Sequence, residues 1–445
     1  MLRAARICPR LARHHAQWRS VTTSSSIQTP HGHLPSTQSP IISELKFFNS
    51  VTGDGTQIPT YRVLDGGGKP IEGAQVPELD EAVARRMYEQ MVQLPTIDNL
   101  MYQVQRQGKI PFYMTHYGEE ATLIGSAAAL ALDDEVLAQY RELGILLWRD
   151  WPIDALMNSC FGNCEDIASK GKQMPMHIGS AAHHFHMISS PLATQIPQAA
   201  GVGFALKRDP ARRGKNCAVV YFGEGAASEG DFHAGMMFAS TIPSPTLFIA
   251  RNNGFAISTP ASEQYYGDGI AARGPGYGVH TIRVDGNDVL AMYNATKEAR
   301  RLCIEEGRGV LLEAMSYRVG HHSTSDDSFA YRGRQEVEDR KRLDNPLSRF
   351  RLFLESRGWW SASDEEELRS RLKKDVLAAY RRAETLPRPP VSEMFDTVYG
   401  GEEPWTITEN REELKRLLKK YGQTWGPWQA ELQKHKGAGQ DLMGS

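Results

Sequence analysis

Two short apolar runs in this chain stop at residues able to hold a cation and a phosphate group. Ala218 to Phe222 (AVVYF) ends at Gly223-Glu224-Gly225, and Thr246 to Ala250 (TLFIA) ends at Arg251-Asn252-Asn253-Gly254. The Glu224 carboxylate and the Asn253 amide are hard oxygen donors. Magnesium takes such donors, commonly one or two protein carboxylates completed by ligand phosphates. The flanking glycines let backbone approach a ligand closely, and Arg251 adds a planar cation suited to phosphate oxygens. The same residues also fit a plain strand–turn–helix with a solvated Glu and an Asn-Asn-Gly turn. Two adjacent parallel strands, however, would bring Glu224 and Asn253 to one carboxyl edge, where open α/β sheets bind their ligands.

The surrounding elements are those such an edge needs. Both runs have the Val- and aromatic-rich character of buried parallel strands. Between them Ser228 or Glu229 can cap a helix with Asp231 in its first turn. Further strands are read at His280 to Val284 and Val310 to Ala314, with a helix from Asp288 to Glu306 between them, an alternation that argues a parallel α/β sheet. Residues 77–107 show helical spacing interrupted at Pro95, and a small-residue helix runs from Gly118 to Leu132. Val136 to Trp148 includes a strand ending in Tyr140-Arg141, which serves either a phosphate or ring or an ordinary ion pair. Ser190 and Pro191 suit the cap and first turn of a helix, a start that favours anions. Residues 317–334 (YRVGHHSTSDDSFAYRGR) form a hydroxyl-rich mobile loop at a strand end, where function concentrates. The charged tail is helical, most clearly over 364–385. Its Trp425 and Trp428 belong either at a subunit interface or docked on the chain's own body.

Composition narrows the class. The chain has 445 residues and a formal net charge of -2, which gives no electrostatic case for nucleic acid or a membrane surface. No apolar run is long enough to span a bilayer. Its five cysteines, Cys8, Cys160, Cys164, Cys217 and Cys303, lack paired zinc spacing and read as reduced, mostly buried thiols. The N-terminus is different: Arg3, Arg6, Arg10, Arg13 and Arg19 precede the first acid, Glu44. Arg, Ser and Thr without acids over residues 1–25 is the composition of a mitochondrial transit peptide, with the matrix as destination. A Pro-, Ser- and Thr-rich lead-in follows over 27–45.

The paired motifs resemble the thiamine-diphosphate signature, a Gly-Asp-Gly-like turn followed by Asn-Asn, with Glu224 in place of the commoner Asp. Six ordered blocks extend the likeness: FYMTHYGEE (112–120), QYRELG (139–144), SSPLATQIPQA (189–199), YFGEGAASEGD (221–231), RNNGFAISTPASEQYYGDGIAARGPGYG (251–278) and GHHSTSDDS (320–328). Together they resemble the alpha subunits of the thiamine-diphosphate-dependent 2-oxo acid dehydrogenases over roughly 45–425. The Tyr-Met-Thr and GHHSTSDDS wording is closer to the branched-chain enzymes than to the alternative, the pyruvate dehydrogenase alpha subunits.

The resemblance implies an α/β thiamine-diphosphate-binding fold, a parallel sheet flanked by helices with helical N- and C-terminal extensions. It implies a transit peptide (1–25), an arm (26–76), a cofactor-binding domain (77–340) and a helical region contacting partner subunits (341–445). Magnesium would be held by Glu224, Asn253 and the main-chain oxygen of Phe255, where many relatives have Tyr. Thiamine diphosphate would meet Tyr140, Arg141, Ser190, Leu192, Glu224, Gly225, Ala226, Arg251, Asn253 and His322. Ser189, Pro191, Thr194 and Gln195 match a potassium site. His322 would be the catalytic residue, and Ser323 matches the serine modified by a dedicated kinase and reset by a phosphatase. Gly333 replaces a second such serine of animal relatives, and His116 replaces a common Asn. The family divides its site with a beta subunit in an α2β2 heterotetramer and passes the acyl group to the lipoyl group of a dihydrolipoyl acyltransferase.

Overall fold

The side chains of Ala218–Gly223 and Thr246–Asn252 alternate between two buried layers, the period of two that a strand imposes. Val219, Tyr221, Leu247 and Ile249 enter one core, while Val220, Phe222, Phe248 and Ala250 enter a second on the opposite face. Burial on both sides explains why the runs are continuously apolar. Each Val, Leu, Ile or Phe so buried contributes about 1.5–3 kcal/mol.

The computed structural model describes residues 58–396 and 399–434. The expected transit peptide (1–25), the lead-in over 27–45 and Cys8 lie outside them. The strands are β1 (Thr60–Tyr61), β2 (Glu135–Leu137), β3 (Ala218–Gly223), β4 (Thr246–Asn252), β5 (Phe255–Ala256), β6 (Thr259–Pro260), β7 (His280–Asp285) and β8 (Val310–Met315). Six form one sheet in the order β1-β7-β8-β4-β3-β2, and every pairing in it is parallel. β5 and β6 make a small antiparallel pair beyond the end of β4. The Glu81–Arg106, Glu120–Ala129 and Val289–Glu306 helices cover one face, and Gln195–Arg208 and Gly230–Thr241 cover the other. The expected α/β sheet flanked by helices is present. Residues of the Pro346–Ser356 and Ala362–Thr385 helices share the first core.

Three local expectations change. The Glu81–Arg106 helix runs through Pro95 without ending. A proline removes one helical bond, and here Met91, Leu94, Ile97 and Met101 are buried on both sides of it. The helix expected to begin at Pro191 begins at Gln195. Ala193 holds a left-handed φ of 67°, which α-helical geometry excludes, so Ser190 is not a cap. Residues 317–334 are tied down rather than loose. Arg332 donates to the carbonyls of Arg318, Val319 and Gly320, and Thr324 N donates to Tyr113 O at 3.0 Å. Trp425 and Trp428 pack beside Val391, Leu414, Leu418 and Leu432 of the chain's own C-terminal region.

Asp288 joins β1 to the body. Its Oδ2 accepts from Val63 N at 2.7 Å and Leu64 N at 2.6 Å, while Oδ1 caps the Val289–Glu306 helix by accepting from Leu290 N and Ala291 N at 3.1 Å. Asp288→Ala leaves these donors buried and bare. It is expected to cost about 3 kcal/mol, a lost cap plus unsatisfied amides, read as a lowered melting temperature of the purified chain. An unchanged melting temperature would remove Asp288 from this role.

Candidate active site

The register of β3 against β4 sets the site. Gly223 lies opposite Arg251, so the chain leaves both strands at one level with Glu224 and Asn253 side by side. Asn253 N approaches Glu224 Oε2 at 3.4 Å. A cavity of about 230 Å³ opens there, lined by Tyr140, Arg141, Leu192, Glu224, Gly225, Ala226, Arg251, Asn253, Phe255 and His322. A side chain at Gly225 would put its Cβ 2.8 Å from that of Ala256, so only glycine lets β5 close over the turn.

Glu224 is buried, and its Oε1 has no hydrogen-bond partner. Burial raises its pKa above the ordinary carboxylate value. A bare, desolvated carboxylate oxygen suits a cation, and a divalent ion would hold the group ionised. Asn253 Oδ1 accepts from Phe255 N at 3.2 Å, and its Nδ2 donates to Glu119 Oε1 at 2.8 Å. One carboxylate, one amide oxygen and a nearby backbone carbonyl are a donor set that magnesium completes with phosphates and water.

Two carboxylates absent from the expected site organise it. Arg251, buried, donates through Nη1 to Glu119 and through Nε to Glu142. Burial pushes Glu119 up, but Arg251 and Arg141 outweigh it and hold the group below the usual range. Glu142 Oε2 also accepts from Gln139 N at 2.8 Å, and Gln139 Oε1 accepts from Gly223 N at 2.8 Å. Arg251 is thus wired to the Gly223-Glu224-Gly225 turn. Glu119 and Glu142 sit inside the FYMTHYGEE and QYRELG blocks, but a single Glu at a helix start has no spacing signature of its own.

The opposite wall comes from residues 317–334. Arg141 donates through Nη1 to Thr115 O and through Nη2 to His322 O at 3.0 Å, and its Nη2 lies 3.3 Å from His322 Nδ1. The Tyr140 ring meets His322 edge-on at 6.1 Å. Phe255 links this wall to the strand end, with the Arg318 and Arg332 guanidiniums 5.6 and 5.5 Å from its ring. His116 is buried nearby on Asp98, its Nδ1 at 2.9 Å from Oδ1.

Ser190 is the expected cofactor contact outside this lining, its Oγ bonded to His177 Nε2 at 2.8 Å. Ser189, Pro191, Thr194 and Gln195 lie together before and at the helix start. Thr194 Oγ1 donates to Pro191 O at 3.3 Å. Gln195 Nε2 donates to Tyr221 O at 3.0 Å, leaving its own oxygen for another partner. All four residues offer neutral oxygens, the kind of donor a weakly hydrated monovalent cation takes.

A cavity at the carboxyl edge of a parallel sheet, with an orphaned carboxylate and an amide oxygen at its floor, has the features of a site for a metal-bound diphosphate. The chain belongs to the dehydrogenase E1 component family, which it matches over residues 88–392. It is 49% identical over 415 residues to the mitochondrial 2-oxoisovalerate dehydrogenase subunit alpha of Homo sapiens, covering 93% of this chain and 91% of that one. It is 50% identical to the mitochondrial subunit alpha 1 of Arabidopsis thaliana (86% of this chain, 80% of that one). The mitochondrial subunit alpha of Caenorhabditis elegans is also 50% identical (83% and 84%).

Burial, then the charges of Arg141 and Arg318, hold the His322 imidazole down at about 3. His322 is therefore neutral at physiological pH. Arginine only donates, so Nδ1 accepts and the proton sits on Nε2. In the unfolded chain the group titrates near about 6.5. The unfolded state thus binds the extra proton between the two values, and stability falls as pH drops through that window. In the cofactor-free chain, His322→Gln is expected to lose melting temperature less steeply than wild type on acidification from neutral pH. Parallel declines would contradict the neutral assignment.

Proposed function

We propose that this chain is the alpha subunit of a mitochondrial branched-chain 2-oxo acid dehydrogenase, acting on 2-oxo acids such as 2-oxoisovalerate in branched-chain amino acid catabolism. Family membership and the mitochondrial relatives support the activity. The observation that carries the site is the bare Glu224 oxygen beside the Asn253 amide in a cavity shared with Tyr140, Arg141 and His322. In this reading Glu224, Asn253 and the Phe255 carbonyl hold magnesium. Tyr140, Arg141, Ser190, Leu192, Gly225, Ala226 and Arg251 surround thiamine diphosphate. Ser189, Pro191, Thr194 and Gln195 hold potassium. Bound thiamine diphosphate supplies the stabilised carbanion that decarboxylation of a 2-oxo acid requires.

The chain's own residues bind, orient and position. The metal ligands fix the diphosphate end. Arg141 spends its donors on Thr115 and His322, so it orders the loop as well as adding positive charge. His322, neutral and held by two arginines, presents a polar ring to the reacting end of the cavity and aids transfer to the lipoyl group. A beta subunit completing an α2β2 assembly and a lipoyl-bearing acyltransferase are the partners. Phe204, Met237 and Phe238 stand exposed on the two helices of the second face, with Ile242 exposed just after the second, and exposed apolar groups of this size favour a protein partner. The C-terminal region, helical over much of its described residues 341–396 and 399–434, is a further partner surface.

Ser323 fits a regulatory role through its burial. It is 6% exposed and its Oγ accepts from Ser325 N at 3.1 Å, so the loop has to open before a kinase can reach it. A phosphoryl group adds about 1.5–2 negative charges next to Asp326 and Asp327. Arg318 Nη2 donates to Ile257 O and Tyr331 OH, both at 2.7 Å, and the Arg332 Nη groups donate to loop carbonyls, so turning either guanidinium to a phosphate breaks bonds that hold the loop. The added charge therefore opposes redocking of the ordered loop.

The assembled α/β enzyme is expected to decarboxylate 2-oxoisovalerate faster than pyruvate, and Glu224→Ala to abolish magnesium-dependent cofactor binding. A pyruvate preference would favour the paralogous activity, and undiminished cofactor affinity would sink the metal assignment. Stoichiometric phosphorylation at Ser323 is expected to lower overall activity and expose 317–334 to protease. Full activity with an equally protected loop would refute that mechanism.

A further inference from the structure

Glu119 is the least exposed charged group of the site and binds no ligand in the reading above. Its side chain is wholly buried. Although Glu119 is the residue before the Glu120–Ala129 helix, its carboxylate does not cap that helix. Oε2 takes Arg251 Nη1, while Oε1 takes Asn253 Nδ2 at 2.8 Å and lies 3.7 Å from Arg141 Nε.

A carboxylate facing two arginines accepts hydrogen bonds and donates none. The Asn253 amide has a donor end and an acceptor end of the same shape, and nothing intrinsic decides which faces the cavity. Against Glu119 only the NH2 end is tolerated, because an oxygen there would face a carboxylate oxygen at contact distance. The carbonyl end is then turned away from Glu119. It accepts from Phe255 N at 3.2 Å, and a carbonyl oxygen has a second lone pair for a cation.

We infer that Glu119 is the positioning residue of the magnesium site, holding the Asn253 amide with Nδ2 bound and Oδ1 presented to the metal. The inference rests on the metal assignment proposed above. It gives Glu119 a task beyond neutralising Arg251: it dictates which chemical group can stand at position 253.

The consequence has an unusual sign. Replacing an amide ligand by a carboxylate adds negative charge and ordinarily tightens a divalent-cation site. Here Asn253→Asp puts a carboxylate against Glu119, so it loosens the site. Glu119→Gln restores a donor to the pair, because the Gln NH2 can face the new carboxylate. Glu119→Gln should therefore rescue Asn253→Asp, which a merely structural Glu119 would not produce.

The experiment titrates thiamine diphosphate by calorimetry into the full chain assembled with a beta subunit, over a series of magnesium concentrations. Assembly of each variant is checked by sedimentation. Asn253→Asp is expected to raise the magnesium requirement about tenfold or more, the scale on which groups behind metal ligands act. The Glu119→Gln/Asn253→Asp double variant is expected to recover most of that loss. Asn253→Asp with an equal or lower magnesium requirement, or a double variant no better than Asn253→Asp, would overturn the inference. If the double variant does not assemble, the sign of the Asn253→Asp change alone decides. Glu224→Ala is the control: if it leaves magnesium dependence intact, the metal assignment itself fails. If it abolishes that dependence while Asn253→Asp tightens binding, the role of Glu119 alone fails.

Discussion

Arg251 must be neutralised where it stands. It ends a central strand with a side chain 3% exposed, and a buried charge left without a partner costs several kcal/mol. Glu119 and Glu142 neutralise it from two different elements. That requirement draws the start of the Glu120–Ala129 helix and the segment after β2 onto the end of β4. Each carboxylate then uses its remaining oxygen capacity on the site: Glu119 holds Asn253, and Glu142 holds Gln139, which in turn bonds Gly223. The strand ends and both flanking segments are therefore fixed as one unit. Burial and the carboxylates act on Arg251 in opposite directions, and the carboxylates win: its pKa is raised above the usual arginine value. It stays a permanent cation beside the proposed diphosphate.

The wall formed by 317–334 depends on the same unit at one remove. Arg141 pairs with Glu119 and reaches His322, while Phe255, two residues after Asn253, packs under Arg318 and Arg332. Strand end and loop thus share contacts without sharing a core. Ordering the loop costs conformational entropy, and the contacts that offset it are mainly polar bonds to backbone carbonyls. A segment held this way can be released by a local change of charge without unfolding the sheet. This gives a physical basis for the regulatory role proposed for Ser323, beside His322.

Much of this was legible in the sequence. Continuous apolar runs ending in glycines announced β3 and β4, and the spacing from Glu224 to Asn253 announced a shared edge. The strands at 280–285 and 310–315 followed from the same pattern. What was not legible depends on three-dimensional pairing. Glu119 and Glu142 look like ordinary helix-start acids until Arg251 is placed between them. Pro95 reads as a break because local rules outweigh tertiary burial on paper, whereas packing on both sides reverses the balance. Ser190 and Pro191 carry the usual signs of a helix start, but the left-handed Ala193 postpones it to Gln195. The loop reads as mobile from its composition, since hydroxyl-rich segments lack apolar anchors. Here Arg332 supplies the anchorage through carbonyls that no sequence pattern marks.

The central claim is that one carboxylate and one oriented amide at the ends of β3 and β4 hold the metal of a cofactor whose other half is completed by a second subunit. The most direct measurement is a structure of the α/β assembly grown with thiamine diphosphate and manganese in place of magnesium, with the metal located by anomalous scattering. The account predicts a single strong peak bonded to Glu224 Oε1 and Asn253 Oδ1, with Asn253 Nδ2 still on Glu119. A metal bound elsewhere, or a Glu224 oxygen that stays bare beside bound cofactor, would contradict it.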